Sequence, residues 1–110
     1  MTTIQEHAPH ATFINVFTVE PERATELAEL LRVATEEKMQ FVPGFISANI
    51  HISTDRTRVV NYAQWQSAQA YQAIFEDPSV RAHMQVCAAV AISFEPHLYT
   101  VESVHQAPNV

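Results

Sequence analysis

The chain has 110 residues, enough for one domain with a core and too few for two. Hydrophobic residues make up 47% and charged residues 16%, which excludes a disordered chain and predicts that a second subunit hides some of the apolar surface. The net charge of -6, with the basic residues scattered from Arg23 to Arg81, excludes a clustered cationic surface for nucleic acid.

Residues 1–10 read as a flexible polar lead without the basic and apolar regions of a signal peptide. Residues 11–105 read as one domain, and residues 106–110 as a tail. No apolar run is long enough to span a membrane. Cys87 is the single cysteine, so no disulfide framework exists and a reducing, cytoplasmic setting is expected.

Ala11 to Val19 alternates as a strand, with Phe13, Asn15, Phe17 and Val19 on one face and Ile14, Val16 and Thr18 on the other. Glu20-Pro21-Glu22 starts a helix running to about Gln40, with Ala24, Leu27, Ala28, Leu31 and Ala34 as its apolar stripe. The only glycine, Gly44, lies in the break before a second strand from Phe45 to Ser53. Simple alternation puts Phe45, Ser47, Asn49 and His51 on one side of it and Ile46, Ala48, Ile50 and Ile52 on the other.

Thr54 to Thr57 forms a tight turn into a third strand, Arg58 to Gln66, whose alternation points Val59, Asn61, Ala63 and Trp65 together. Ser67 caps a short helix from Ala68 to Phe75, and Asp77-Pro78 opens another with Val80, Met84, Cys87, Ala88 and Ala91 as its stripe. Phe94 to Val104 reads as the last strand.

The order of strand, helix, two strands, helix pair and strand predicts an α+β, ferredoxin-like split βαβ domain with a four-stranded antiparallel sheet. Helices should cover one face. The other face should carry Ile14, Val16, Ile46, Ile50, Ile52, Val60 and Tyr62, which predicts a homodimer with two sheets packed face to face.

One glycine excludes glycine-rich phosphate cradles and the dinucleotide fingerprint. The six histidines form no compact ligand motif, so no metal site is expected, and Cys87 on a helix stripe reads as an inert buried thiol. What remains is Asn15, His51, Asn61, Trp65 and Tyr71, all assigned to the region between sheet and helices. Singly, each reads as a satisfied core residue. Together they form the few placed polar groups of an apolar small-molecule cavity.

Phe13-Ile-Asn-Val-Phe-Thr-Val19, Val42-Pro-Gly-Phe45, the Ser53-Thr-Asp55 turn and Val60-Asn-Tyr-Ala-Gln-Trp65 followed by Gln69-Ala-Tyr71 resemble the antibiotic biosynthesis monooxygenase family. The likeness runs from about Phe13 to Phe75 and is greatest to the branch that oxidises anthrones to anthraquinones in aromatic polyketide pathways. The resemblance implies a dimeric α+β barrel, an aromatic polyketide substrate, O2 as co-substrate and no metal, flavin or haem. It also implies that Asn61 and Asn15 contact the oxyanion or peroxide. Trp65 would pack against the polycycle, and Tyr71 would donate to a substrate phenol or peroxide. His51 is the expected proton acceptor, since an imidazole is poised to exchange a proton close to neutral pH. Two alternatives use the same fold. In a haem-degrading monooxygenase, Ile74 would stand where that branch carries a tryptophan and His83 would fall one residue from its ligand position. The other is a non-catalytic dimeric small-molecule-binding module.

Overall fold

A computed structural model describes residues 2–108. The expected lead and tail also include residues 1, 109 and 110, which lie outside the described residues. The elements are β1 (Ala11–Thr18), α1 (Ala24–Glu37), β2 (Phe45–Ile52), β3 (Arg58–Trp65), α2 (Ala68–Ala73), α3 (Pro78–Val90) and β4 (Ser93–Tyr99). All neighbouring strands are antiparallel, in the order β2-β3-β1-β4, which is the sheet of a split βαβ fold.

Local chemistry explains the boundaries. Ser67 caps α2 by accepting from the Ala70 N–H at 3.1 Å, and Asp77 caps α3 by accepting from the Ser79 N–H at 2.8 Å. The Asp77 carboxylate also pairs with Lys38 at 2.6 Å, and that contact leads the causes that hold its pKa well below the usual range. α1 ends at Glu37 rather than near Gln40, and Met39–Phe41 forms a separate tight turn. Gly44 adopts φ +88, and a Cβ there would lie 2.5 Å from the Ala70 Cβ, so both the turn and the close approach of α2 require glycine. Between β2 and β3, Asp55 Oδ1 accepts from the Thr57 N–H at 3.0 Å and from the hydroxyls of Thr57 and Ser53 at 2.7 Å. These bonds pull the Asp55 pKa to about 2. β4 stops at Tyr99, short of the expected Val104.

All three helices lie over one face of the sheet. Two core clusters fill that interface. Phe17 and Val59 pack with Ala24, Leu27 and Leu31 of α1 and with Cys87 and Val90 of α3. Phe13, Ala63 and Trp65 pack with Ile74 and Val80. The rows of paired residues explain the division. Phe13 faces Ala63, Asn15 faces Asn61 and Phe17 faces Val59 across β1 and β3, so a pair of amides separates two apolar rows.

β2 departs from simple alternation. Phe45 pairs with Trp65 but Ser47 pairs with Gln64, so one extra residue is inserted as a β-bulge. Beyond it every side chain changes face. Ala48, Ile50 and Ile52 therefore turn to the helices, and Ile50 and Ile52 pack against the core instead of lying on the open face as expected. His51 pairs with Val60 and is exposed on the open face.

The open face carries Ile14, Val16, Val60 and Tyr62 at its centre, and the N-terminal lead crosses it. Asn49 Nδ2 donates to Thr2 Oγ1 at 2.8 Å, Gln64 Nε2 donates to the Thr3 carbonyl at 2.7 Å, and the His7 N–H donates to the Val101 carbonyl at 2.9 Å. The lead, expected to be flexible, is thus tied to β2, β3 and the segment after β4.

Candidate active site

A cavity of about 220 Å³ lies between the helix-covered face of the sheet and the three helices. Asn15 and Asn61 stand on its floor, Trp65 and Phe45 at the α2 end, and Leu31, Thr35, His83 and Cys87 along its helical wall. Phe94 and Pro96 of β4 complete the lining.

The floor is chemically unusual. The carbonyl oxygens of Asn15 and Asn61 are both buried and have no hydrogen-bond partner among the described residues. A buried polar group left unpaired costs about 1–3 kcal/mol, so two on paired strand positions amount to a standing cost that a bound molecule would relieve. Antiparallel pairing across β1 and β3 holds them side by side.

The aromatic end is a connected cluster. Trp65 is 3% exposed and meets Phe45 edge-on with ring centroids 5.4 Å apart. Tyr71 contacts Trp65 at 6.1 Å, Phe13 at 4.7 Å and Phe75 at 5.3 Å. These contacts fix the ring planes at this end of the cavity. Burial pushes the Tyr71 phenol up to about 12, which keeps it a proton donor at neutral pH.

The helical wall holds two groups that sequence reasoning did not place in the site. His83 and Cys87 are one turn apart on α3, with Nε2 and Sγ 3.3 Å from each other. Burial raises the Cys87 thiol to about 11 and lowers the His83 pKa below its ordinary 6.5. Both are therefore uncharged at neutral pH. A signal for His83 was available: it follows Val80 by three residues and precedes Cys87 by four, so it belongs to the same helical stripe. No carboxylate, lysine or arginine is among the lining residues.

The structure gathers Asn15, Asn61, Trp65 and Tyr71 around one cavity, but His51, expected as its proton acceptor, lies outside it. The β-bulge before Ser47 turns His51 to the opposite side of the sheet. Arg81 is exposed and donates to the Phe75 carbonyl. Among the described residues no three histidine, cysteine or carboxylate side chains are grouped to hold a metal ion. None of the described helices is long and apolar enough to cross a membrane.

The chain is similar to the tetracenomycin-F1 monooxygenase of Streptomyces glaucescens, at 41% identity over 91 residues, covering 83% of this chain and 81% of that protein. It is also similar to the crystal structure of the monooxygenase ActVA-Orf6 of Streptomyces coelicolor in complex with nanaomycin D. There the TM-score is 0.79 and the identity 32%, with 88% of this chain and 91% of that one covered. SnoaB of Streptomyces nogalater, described as a cofactor-independent oxygenase, shares the fold at a TM-score of 0.72 and 24% identity, covering 88% of this chain and 97% of its own. Residues 11–86 match the Antibiotic biosynthesis monooxygenase family, and the chain belongs to that family.

Proposed function

We propose that this chain is a cofactor-independent monooxygenase that oxidises the methylene of a polycyclic aromatic polyketide anthrone to a quinone with O2. The reading rests on one observation above all: two amides with buried, unpartnered side-chain oxygens on the floor of a largely apolar, aromatic-walled cavity. The names of the similar proteins support it, because one is a tetracenomycin-F1 monooxygenase, one was crystallised with nanaomycin D and one is a cofactor-independent oxygenase.

An anthrone methylene is acidic, and its enolate is rich enough in electrons to reduce O2, so the substrate supplies the electrons. The C–H bond breaks and the electron pair stays on the ring. One electron then passes to O2, and the caged pair combines to a peroxide. Protonation and loss of water leave the new carbonyl, so one oxygen atom enters the product and the other leaves as water. The site's task is to stabilise the enolate and peroxide and to exclude water.

Asn61 and Asn15 suit the first task. Their amide N–H groups can donate to the enolate or peroxide oxygen, and their free carbonyls can accept from substrate phenols. Trp65 and Phe45 provide ring faces and edges for the polycycle, and Tyr71 donates to a phenol or peroxide oxygen. The working unit in this reading is a homodimer. The exposed side chains of Val86, Ile92, Phe94 and Leu98 and the apolar centre of the open sheet face supply surface for a second copy.

Oxygen uptake and quinone formation with emodin anthrone or dithranol test the proposal. The parent should consume one O2 per quinone. Asn61→Ala and Trp65→Phe should each lower kcat/KM at least ~10-fold, about 1.4 kcal/mol of transition-state stabilisation. Tight anthrone binding without oxygen uptake would instead identify a binding module.

A further inference from the structure

The oxygenase reading requires a group that removes a proton from the substrate, and the expected candidate, His51, faces away from the cavity. From the geometry of the cavity wall we infer that His83 is the proton acceptor, taking the methylene proton and later returning it to the peroxide. The inference rests on the oxygenase reading for its substrate, but its test does not depend on oxygen chemistry.

Elimination carries the first part. The titratable side chains lining the cavity are Tyr71, His83 and Cys87. Tyr71 and Cys87 hold their protons at neutral pH, because burial raises one to about 12 and the other to about 11. Neither can accept one there. Asn15, Asn61 and Thr35 are neutral hydrogen-bonding groups with no accessible basic form. His83 is left as the one lining group with a basic nitrogen, and burial keeps its imidazole neutral and ready to accept.

Position carries the second part. His83 lines not only the cavity but also an outer groove between α1 and α3, beside Glu26, Glu29, Glu37 and Lys38. The proton is returned to the substrate within each turnover, and contact with both spaces also lets the imidazole exchange it with solvent while the enolate persists. The charges of the groove do not offset the effect of burial on His83. Cys87 Sγ lies 3.3 Å from Nε2, one turn along α3.

The proton balance closes. The methylene C–H bond breaks, the proton moves to the imidazole, and the electron pair remains as the enolate. After O2 has added, the imidazolium gives its proton to the peroxide anion, and the hydroperoxide loses water to form the carbonyl. No outside acid or reductant is needed.

The test is anaerobic exchange of the dithranol methylene protons with D2O, followed by NMR from pH 5 to 7.5. The parent should accelerate exchange, with a rate that rises with pH through one ionisation below 6.5 and is level at neutral pH. His83→Asn should lose about 100-fold of the enzyme-dependent rate together with that pH limb. Millimolar imidazole should restore part of the rate in His83→Ala. Persistence of the limb in His83→Asn would overturn the inference, as would its loss in His51→Ala instead. Exchange by the parent without oxygen uptake in air would leave His83 as the base and reject the oxygenase reading alone. Absence of exchange by the parent would reject His83.

Discussion

The two faces of one sheet treat the same residue type in opposite ways. On the open face, Asn49 Nδ2 donates to Thr2 at 2.8 Å and to the Tyr62 carbonyl at 3.2 Å, and Gln64 donates to the Thr3 carbonyl at 2.7 Å. On the covered face, the side-chain oxygens of Asn15 and Asn61 are buried and have no partner among the described residues. The lead satisfies the open face. Nothing among the described residues satisfies those two oxygens, and under the proposed function that difference separates amides that hold the fold from amides placed for a ligand. The Tyr62 hydroxyl, also buried without a partner, is the exception on the open face.

Substitutions on the two faces should have opposite effects. The largest contrast is expected at Asn61: Asn61→Ala should lose at least ~10-fold in turnover while its thermal midpoint stays level or rises, since the change removes an unpaired buried oxygen. A destabilisation above about 1 kcal/mol would mean that Asn61 is structural after all. Asn49→Ala should do the reverse, costing about 1 kcal/mol of stability through its lost hydrogen bonds and leaving kcat/KM unchanged. Denaturant titration of both variants separates these outcomes.

A smaller effect concerns pH. Cys87 and Tyr71 have pKa values raised in the fold from 9.0 to about 11 and from 10.0 to about 12. The folded state therefore binds more protons than the unfolded state above pH 9, and stability falls as pH rises through that window. Cys87→Ala should flatten the fall between pH 9 and 11, and Tyr71→Phe should flatten it between pH 10 and 12. Parallel stability curves for parent and variants would contradict the burial of these groups.

Much of the fold is legible in the sequence because its signals are local. Ser67 and Asp77 are capping residues at the helix starts, Gly44 marks a turn of positive φ, and the stripes of α1 and α3 point at the core. Asn15, Asn61 and Trp65 share a face because β1 and β3 alternate without interruption. β2 hides its bulge. Phe45-Ile46-Ser47 contains no glycine or proline, and either phase of the segment gives a plausible alternation, so only pairing with β3 reveals the extra residue. That single insertion moved His51 out of the site and left His83, on a helix read only for its apolar stripe, as the histidine facing the cavity.

In the proposed function, the amides with unpartnered oxygens on the covered face serve catalysis. Measuring kcat/KM for oxygen uptake with dithranol in the parent, Asn61→Ala and Asn49→Ala tests it most directly. A loss of at least ~10-fold confined to Asn61→Ala is the predicted result. Equal rates in all three proteins, or a loss confined to Asn49→Ala, would contradict it.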